Sequence, residues 1–321
     1  APNWAVVKGY GTLSFGKSVK EASIIEDITD HTMTAVLKGE MLGGYKALSA
    51  KEIFDVEYWE LEQAKLKKGS NIAEFAGKVV LITDALNPTQ KVCAKMLKDK
   101  GATIAALDKD IAVEKYYNSA DQVGIQCDTS LSSDIKTALD EVVRSFGGID
   151  IVISDIGVAI DNSVEDQGHN WQKHLDKNVT KHQNLLKEIL PYLKEGINPN
   201  VVIIASKGFI SVGQEHVIYS AVENDQIQLS NKTSQELSRF GIRVNTIYPR
   251  DVYSIVKVDE NILQERADKC GLSVTEYLAD DELKKELEAH DTAVLACTVA
   301  SSVFNHTTGA QLKVDSGLKT K

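Results

Sequence analysis

The sequence predicts a doubly wound α/β fold: a parallel sheet of about seven strands with helices on both faces, preceded by a helical N-terminal segment. Three observations carry that expectation. From Gly77 onward, short apolar runs alternate with stretches of helical periodicity. The runs are continuously apolar, as strands buried on both faces require. Residues 1–70 lack such runs and show one-faced apolar spacing instead, so the expected boundaries are 1–70 for the segment and 71–321 for the sheet domain.

Within the first segment, Ile24, Ile25, Ile28, Met33, Val36 and Leu37 fall near one face of a helix over Lys20 to Glu40. Ser49-Ala50-Lys51-Glu52 is a capping-box pattern opening a second helix, which Lys67-Lys68-Gly69 would end. Strands then follow at Val79–Thr83, Thr103–Asp108, Gly124–Asp128, Ile149–Ser154, Val201–Ser206, Ile242–Ile247 and Gln311–Asp315. Helices are expected between them, one through Val92, Met96 and Leu97 and another over Ser133 to Phe146.

Composition narrows the classes of partner. Among 321 residues, 36 basic against 46 acidic side chains give a net charge of −10, which disfavours nucleic acid and anionic membranes. There is no apolar run long enough to span a bilayer and no signal-peptide pattern, so a cytoplasmic protein is expected. Cys93, Cys127, Cys270 and Cys297 lack metal-type or redox-type spacing and read as buried or half-buried thiols. His169, His174 and His182 are not spaced as a helical metal pair and read as solvated or capping residues; no metal site is expected. Asp259 to Asp291, charged with interleaved leucines, reads as a solvated amphipathic hairpin.

Tyr219-Ser220-Ala221-Val222-Glu223, with Ser206 thirteen residues before the tyrosine, resembles the Tyr-x-x-x-Lys active site of the short-chain dehydrogenases/reductases. Gly241 to Pro249 and Thr307 to Gly317 resemble the same family's late strands. Residues 44–66 resemble the junction in two-part proteins that join a class II sugar-phosphate aldolase to such a dehydrogenase, although residues 1–70 hold only His31 and cannot assemble a multi-histidine zinc site. The resemblance implies a Rossmann-like, NAD-binding domain that assembles as dimers or tetramers through helices near Asn178–Leu193 and Ser220–Phe240. It also implies roles: Tyr219 as acid/base, Ser206 as carbonyl-polarising donor, Asn178 as proton-relay anchor, Asp108 on the adenosine ribose and Asp128 near adenine.

Three departures alter that expectation. The family's Thr-Gly-x-x-x-Gly-x-Gly loop becomes Thr83-Asp84-Ala85-Leu86-Asn87-Pro88-Thr89-Gln90, with every glycine replaced. Its Asn-x-Ala-Gly becomes Ser154-Asp155-Ile156-Gly157. Glu223 replaces the lysine whose charge brings a phenol down from its ordinary pKa near ~10. The expected function is a non-enzymatic member of the family that binds no cofactor and serves in oligomerisation or a larger assembly. The alternative is an NAD-dependent oxidoreductase of a small sugar-derived alcohol or aldehyde.

Overall fold

The computed structural model describes residues 3–57, 73–156, 181–205, 216–249 and 287–317, with short stretches between 264 and 278; for residues 216–226 it describes the helical backbone alone. The chain divides into two compact units, Ala1–Gly77 and Lys78–Lys321.

The first unit holds more than loop and helix. Strands β1 (Trp4–Val7) and β2 (Gly11–Ser14) pair antiparallel, Trp4 opposite Ser14. This hairpin was not expected, because four-residue strands joined through Gly9 and Gly11 present too short an alternation to read. Helix α1 (Val19–Met41) starts at Ser18, whose hydroxyl accepts Glu21 N at 3.2 Å. Helix α2 (Ala50–Glu57) begins with the expected capping box: Ser49 N donates to Glu52 Oε2 at 2.7 Å and Glu52 N to Ser49 Oγ at 3.3 Å. The expected continuation through Gly69 lies outside the described residues.

The second unit is built on strands β3 (Val79–Thr83), β4 (Thr103–Asp108), β5 (Asn118–Ser119), β6 (Gln122–Gln126), β7 (Ile151–Ile156), β8 (Asn200–Ala205), β9 (Arg243–Pro249) and β10 (Gln311–Val314). They form one eight-stranded sheet in the order β10-β9-β8-β7-β3-β4-β6-β5, parallel except for β5. The eighth strand is a two-residue edge that no sequence period reveals. All five residues of β3 are buried, which accounts for their unbroken apolarity. Helices α3 (Pro88–Asp99), α4 (Ala112–Tyr116), α5 (Ser132–Phe146), α6 (Lys181–Glu195), α7 (His216–Ser238), α8 (Val274–Leu278) and α9 (Ala289–Ala300) accompany the sheet. Ile135, Ala138, Leu139 and Val142 of α5 share one core with Leu185 and Ile189 of α6 and with β3, β7 and β8. The pair α3 and α9 packs together separately. Of the Asp259–Asp291 stretch, most lies outside the described residues.

Asp150 ties the amino ends of three strands. Its Oδ2 accepts Val79 N at 2.9 Å, its Oδ1 accepts Ile197 N at 2.7 Å, and its carbonyl accepts Asn200 N at 3.1 Å. Val79 is buried and Ile197 is exposed, so deleting the carboxylate strands the Val79 amide away from water and leaves that of Ile197 open to it. Asp150→Ala is therefore expected to cost about 1–3 kcal/mol, read as a clear fall in melting temperature by circular dichroism. An unchanged melting temperature would mean that water replaces the carboxylate without loss.

Candidate functional site

In a doubly wound sheet the crevice opens at the carboxyl ends of the strands, where the winding direction reverses. Here β3 is followed to one side by β4 and β6, and the chain then returns to place β7 on the other side. The reversal lies between β3 and β7, and Asp155 N donates to Thr83 Oγ1 across it at 3.1 Å. Thr83 is buried, and its hydroxyl joins the two strand ends.

The turn after β3 bears the first departure from the family pattern. Asp84 has φ 47°, a left-handed conformation that favours glycine and that aspartate tolerates. Its neighbours spend their amides on the protein itself. Ala85 N donates to Leu107 O at 3.1 Å, Leu86 N to Asp108 Oδ2 at 2.9 Å and Asn87 N to Asp84 O at 2.9 Å. Asn87 caps α3, its Oδ1 accepting Thr89 N at 3.0 Å, and Pro88 at the first helical position has no N–H. Tyr117 closes the turn from behind, its buried hydroxyl donating to Ala85 O at 2.8 Å. Gln90, in the first turn of α3, is fully enclosed, and among the described residues neither its Nε2 nor its Oε1 has a partner.

Three carboxylates lie near these strand ends. Asp84 is half-buried, and burial raises its pKa; Lys181 at the start of α6 opposes that shift, while Asp108 and Asp128 add to it. Asp108 accepts Leu86 N and, through Oδ1, Asp110 N at 2.9 Å. Asp128 is held well below the usual carboxylate range by Lys109, 2.8 Å away, and by Ser130, which donates both its hydroxyl and its amide.

Of the residues singled out from the sequence, Thr83, Asp84, Asp108 and Asp128 are thus brought to one edge. Tyr219 and Glu223 lie one turn apart on α7. Gly157, Asn178 and Ser206 lie outside the described residues. Lys181 was missed; it is a cation acting on Asp84, in a place that spacing along the chain does not reveal.

His182 corrects the expectation of a solvated or capping histidine. It is buried, its Nδ1 lies 3.2 Å from Ser154 Oγ, and burial lowers the imidazole to about 4. The signal was present: Leu185, Leu186 and Ile189 follow at three, four and seven residues, putting His182 on the buried face of α6. His169 and His174 lie outside the described residues. Among the described residues, no group of three His, Cys, Asp or Glu side chains is placed to hold a metal ion, and no helix is long and apolar enough to cross a membrane. The described cysteines Cys93, Cys127 and Cys297 are buried thiols.

Comparisons with known proteins place this architecture. Residues 91–319 match the short-chain dehydrogenase model described as enoyl-(acyl carrier protein) reductase, and residues 1–66 match the model described as aldolase class II, second domain. An uncharacterized oxidoreductase of Bacillus subtilis, YuxG, is 25% identical over 334 residues, covering 99% of this chain and 48% of its own length. The chain therefore spans about half of that relative. L-fucose dehydrogenase of Oryctolagus cuniculus is 28% identical over 189 residues, 57% of this chain and 65% of that one. Among solved structures, a short-chain dehydrogenase/reductase of Brucella melitensis titled glucose/ribitol dehydrogenase superposes with a TM-score of 0.64 at 21% identity, covering 78% of this chain and all of that one. With its sheet wound about the β3–β7 crevice and a family match running through residues 91–319, the chain belongs to the short-chain dehydrogenase/reductase family.

Proposed function

We propose that this chain keeps the oxidoreductase fold of its family without the dinucleotide chemistry, and serves as a non-catalytic, oligomer-forming half of an aldolase/dehydrogenase-type protein. The observation that carries the reading is the hydrogen-bond inventory of the turn after β3. A pyrophosphate is held by unspent backbone donors and a glycine-lined approach. Here the amides of Ala85, Leu86, Asn87 and Thr89 donate to protein acceptors, and Pro88 has none to give. Asp84 adds a carboxyl group, and the enclosed Gln90 side chain stands where the family pattern has its third glycine. These residues do not fit the diphosphate of NAD. Giving up a charge-assisted donor costs on the order of 1.5–3 kcal/mol, so losing several removes the binding.

Glu223 compounds the loss, since its charge favours the protonated phenol at Tyr219. In this reading the chain is cytoplasmic, forms dimers or tetramers through the helices around Asn178–Leu193 and Ser220–Phe240, and takes part in a larger protein assembly.

The second reading is an NAD-dependent oxidoreductase acting on a small sugar-derived alcohol or aldehyde. The comparisons weigh on this side: YuxG is named an oxidoreductase and the rabbit relative a dehydrogenase of L-fucose. Asp108 and Asp128 at the ends of β4 and β6 also keep the adenosine side of the family pattern.

Loop replacement separates the two readings. Asp84→Gly/Pro88→Gly/Gln90→Gly, once shown to be folded by circular dichroism, is expected to gain NADH binding by fluorescence titration, whereas Glu223→Lys alone gains none. Turnover of L-fucose or a small aldehyde by the unaltered chain with NAD or NADH would overturn the non-catalytic reading.

The raised pKa of Asp84 gives a second expectation. The folded chain holds this proton more tightly than the unfolded chain, so the contribution of Asp84 to stability falls as pH rises through the folded value. Asp84→Asn is expected to melt higher than the unaltered chain at neutral pH, with the difference closing below the ordinary aspartate value near ~3.9. A constant difference at all pH values would show that the carboxylate charge is not its source.

A further inference from the structure

Helices α3 and α9 pack against one another through small side chains. On α9, Ala293, Ala296, Cys297 and Ala300 fall at i, i+3, i+4 and i+7, which is one helical face, and all four are buried. On α3, Cys93 and Ala94 are buried one turn beyond the enclosed Gln90. Small side chains at a helix contact let the two axes approach closely.

That approach brings together two thiols 204 residues apart, which no spacing along the chain could pair. Cys297 Sγ donates to Cys93 O at 3.9 Å, and the side chains of the two cysteines hydrogen-bond to each other. Cysteines on packed helices with their sulfurs in contact meet the first requirement of a disulfide, side chains directed at one another. The bond to Cys297 and burial hold the Cys93 thiol well above its ordinary range, so the closed protein keeps it protonated. Reaction therefore waits on a local parting of α3 and α9.

We infer that Cys93 and Cys297 form a reversible oxidation site, at which a low-molecular-weight disulfide converts the two thiols into a bond that staples α3 to α9. One cysteine, as its thiolate, attacks a sulfur of the small disulfide, and one small thiol is released from the mixed disulfide so formed. The other cysteine then attacks the protein sulfur of that mixed disulfide, and the second small thiol leaves. In all, the two protein thiols lose two electrons and two protons, and one small disulfide becomes two thiols. A cross-link between residues so far apart in the chain restricts the unfolded state strongly and so stabilises the folded one. Because α3 begins at the turn after β3, the staple also anchors that turn. The inference does not depend on whether the crevice binds a dinucleotide.

The test incubates the folded full chain with oxidised glutathione, blocks the remaining thiols and maps the peptides by mass spectrometry without reduction. The expected result is a peptide pair joined through Cys93 and Cys297, which dithiothreitol separates. The oxidised chain is expected to melt about 5 °C or more above the reduced chain, and Cys297→Ala, which extends the alanine face of α9, to show no such rise. The map itself needs no variant. Cys93 and Cys297 remaining as thiols, or carrying glutathione alone, would overturn the inference. So would a link that forms only in urea, or one that leaves the melting temperature unchanged or lower.

Discussion

The carboxylate of Asp108 organises the mouth of the crevice. One oxygen accepts the amide of Leu86 and the other that of Asp110, so the turn after β3 is bound to the end of β4 from within the protein. A backbone N–H has one hydrogen to give. The amides of Leu86, Ala85, Asn87 and Thr89 have given theirs to protein acceptors, and those four are not free for an anion. The dipole of α3 remains, but its first turn is sealed by Asn87 and Pro88. The turn is well made for stability, and in the reading proposed above the same bonds close it to phosphate.

Charge acts in the same direction. Asp84 and Asp155 add acid to a cleft already bounded by Asp108 and Asp128. Lys109 neutralises Asp128, and Lys181 partly offsets Asp84. Below the crevice the scaffold is intact: β3, β7 and β8 are buried on both faces, and Asp150 joins their amino ends. Among the described residues, the replaced glycine positions 84, 88 and 90 fall on the turn after β3, and the packing that makes the family fold is kept.

Much of this was legible in the sequence because its causes are local. Val79 to Thr83 reads as a buried strand from five residues, and Ser49 with Glu52 reads as a helix start from four. Boundaries drifted where apolar character was mixed; β6 begins at Gln122, two residues ahead of the expected Gly124, because backbone pairing with β4 does not require an apolar side chain there. The hairpin and β5 escaped notice because strands of four and two residues have no readable period. At the site, the glycine losses were visible as letters. Their consequence depended on long-range partners such as Leu107, Asp108 and Tyr117, which only the fold brings to the turn. Lys181 became visible for the same reason.

Calorimetric titration of the unaltered chain with NADH at millimolar concentration tests the central claim most directly. The expected result is heat no larger than dilution, with no saturable step. Saturable binding with one site per chain would contradict the account, because the turn after β3 would then have to release its internal hydrogen bonds to receive a diphosphate.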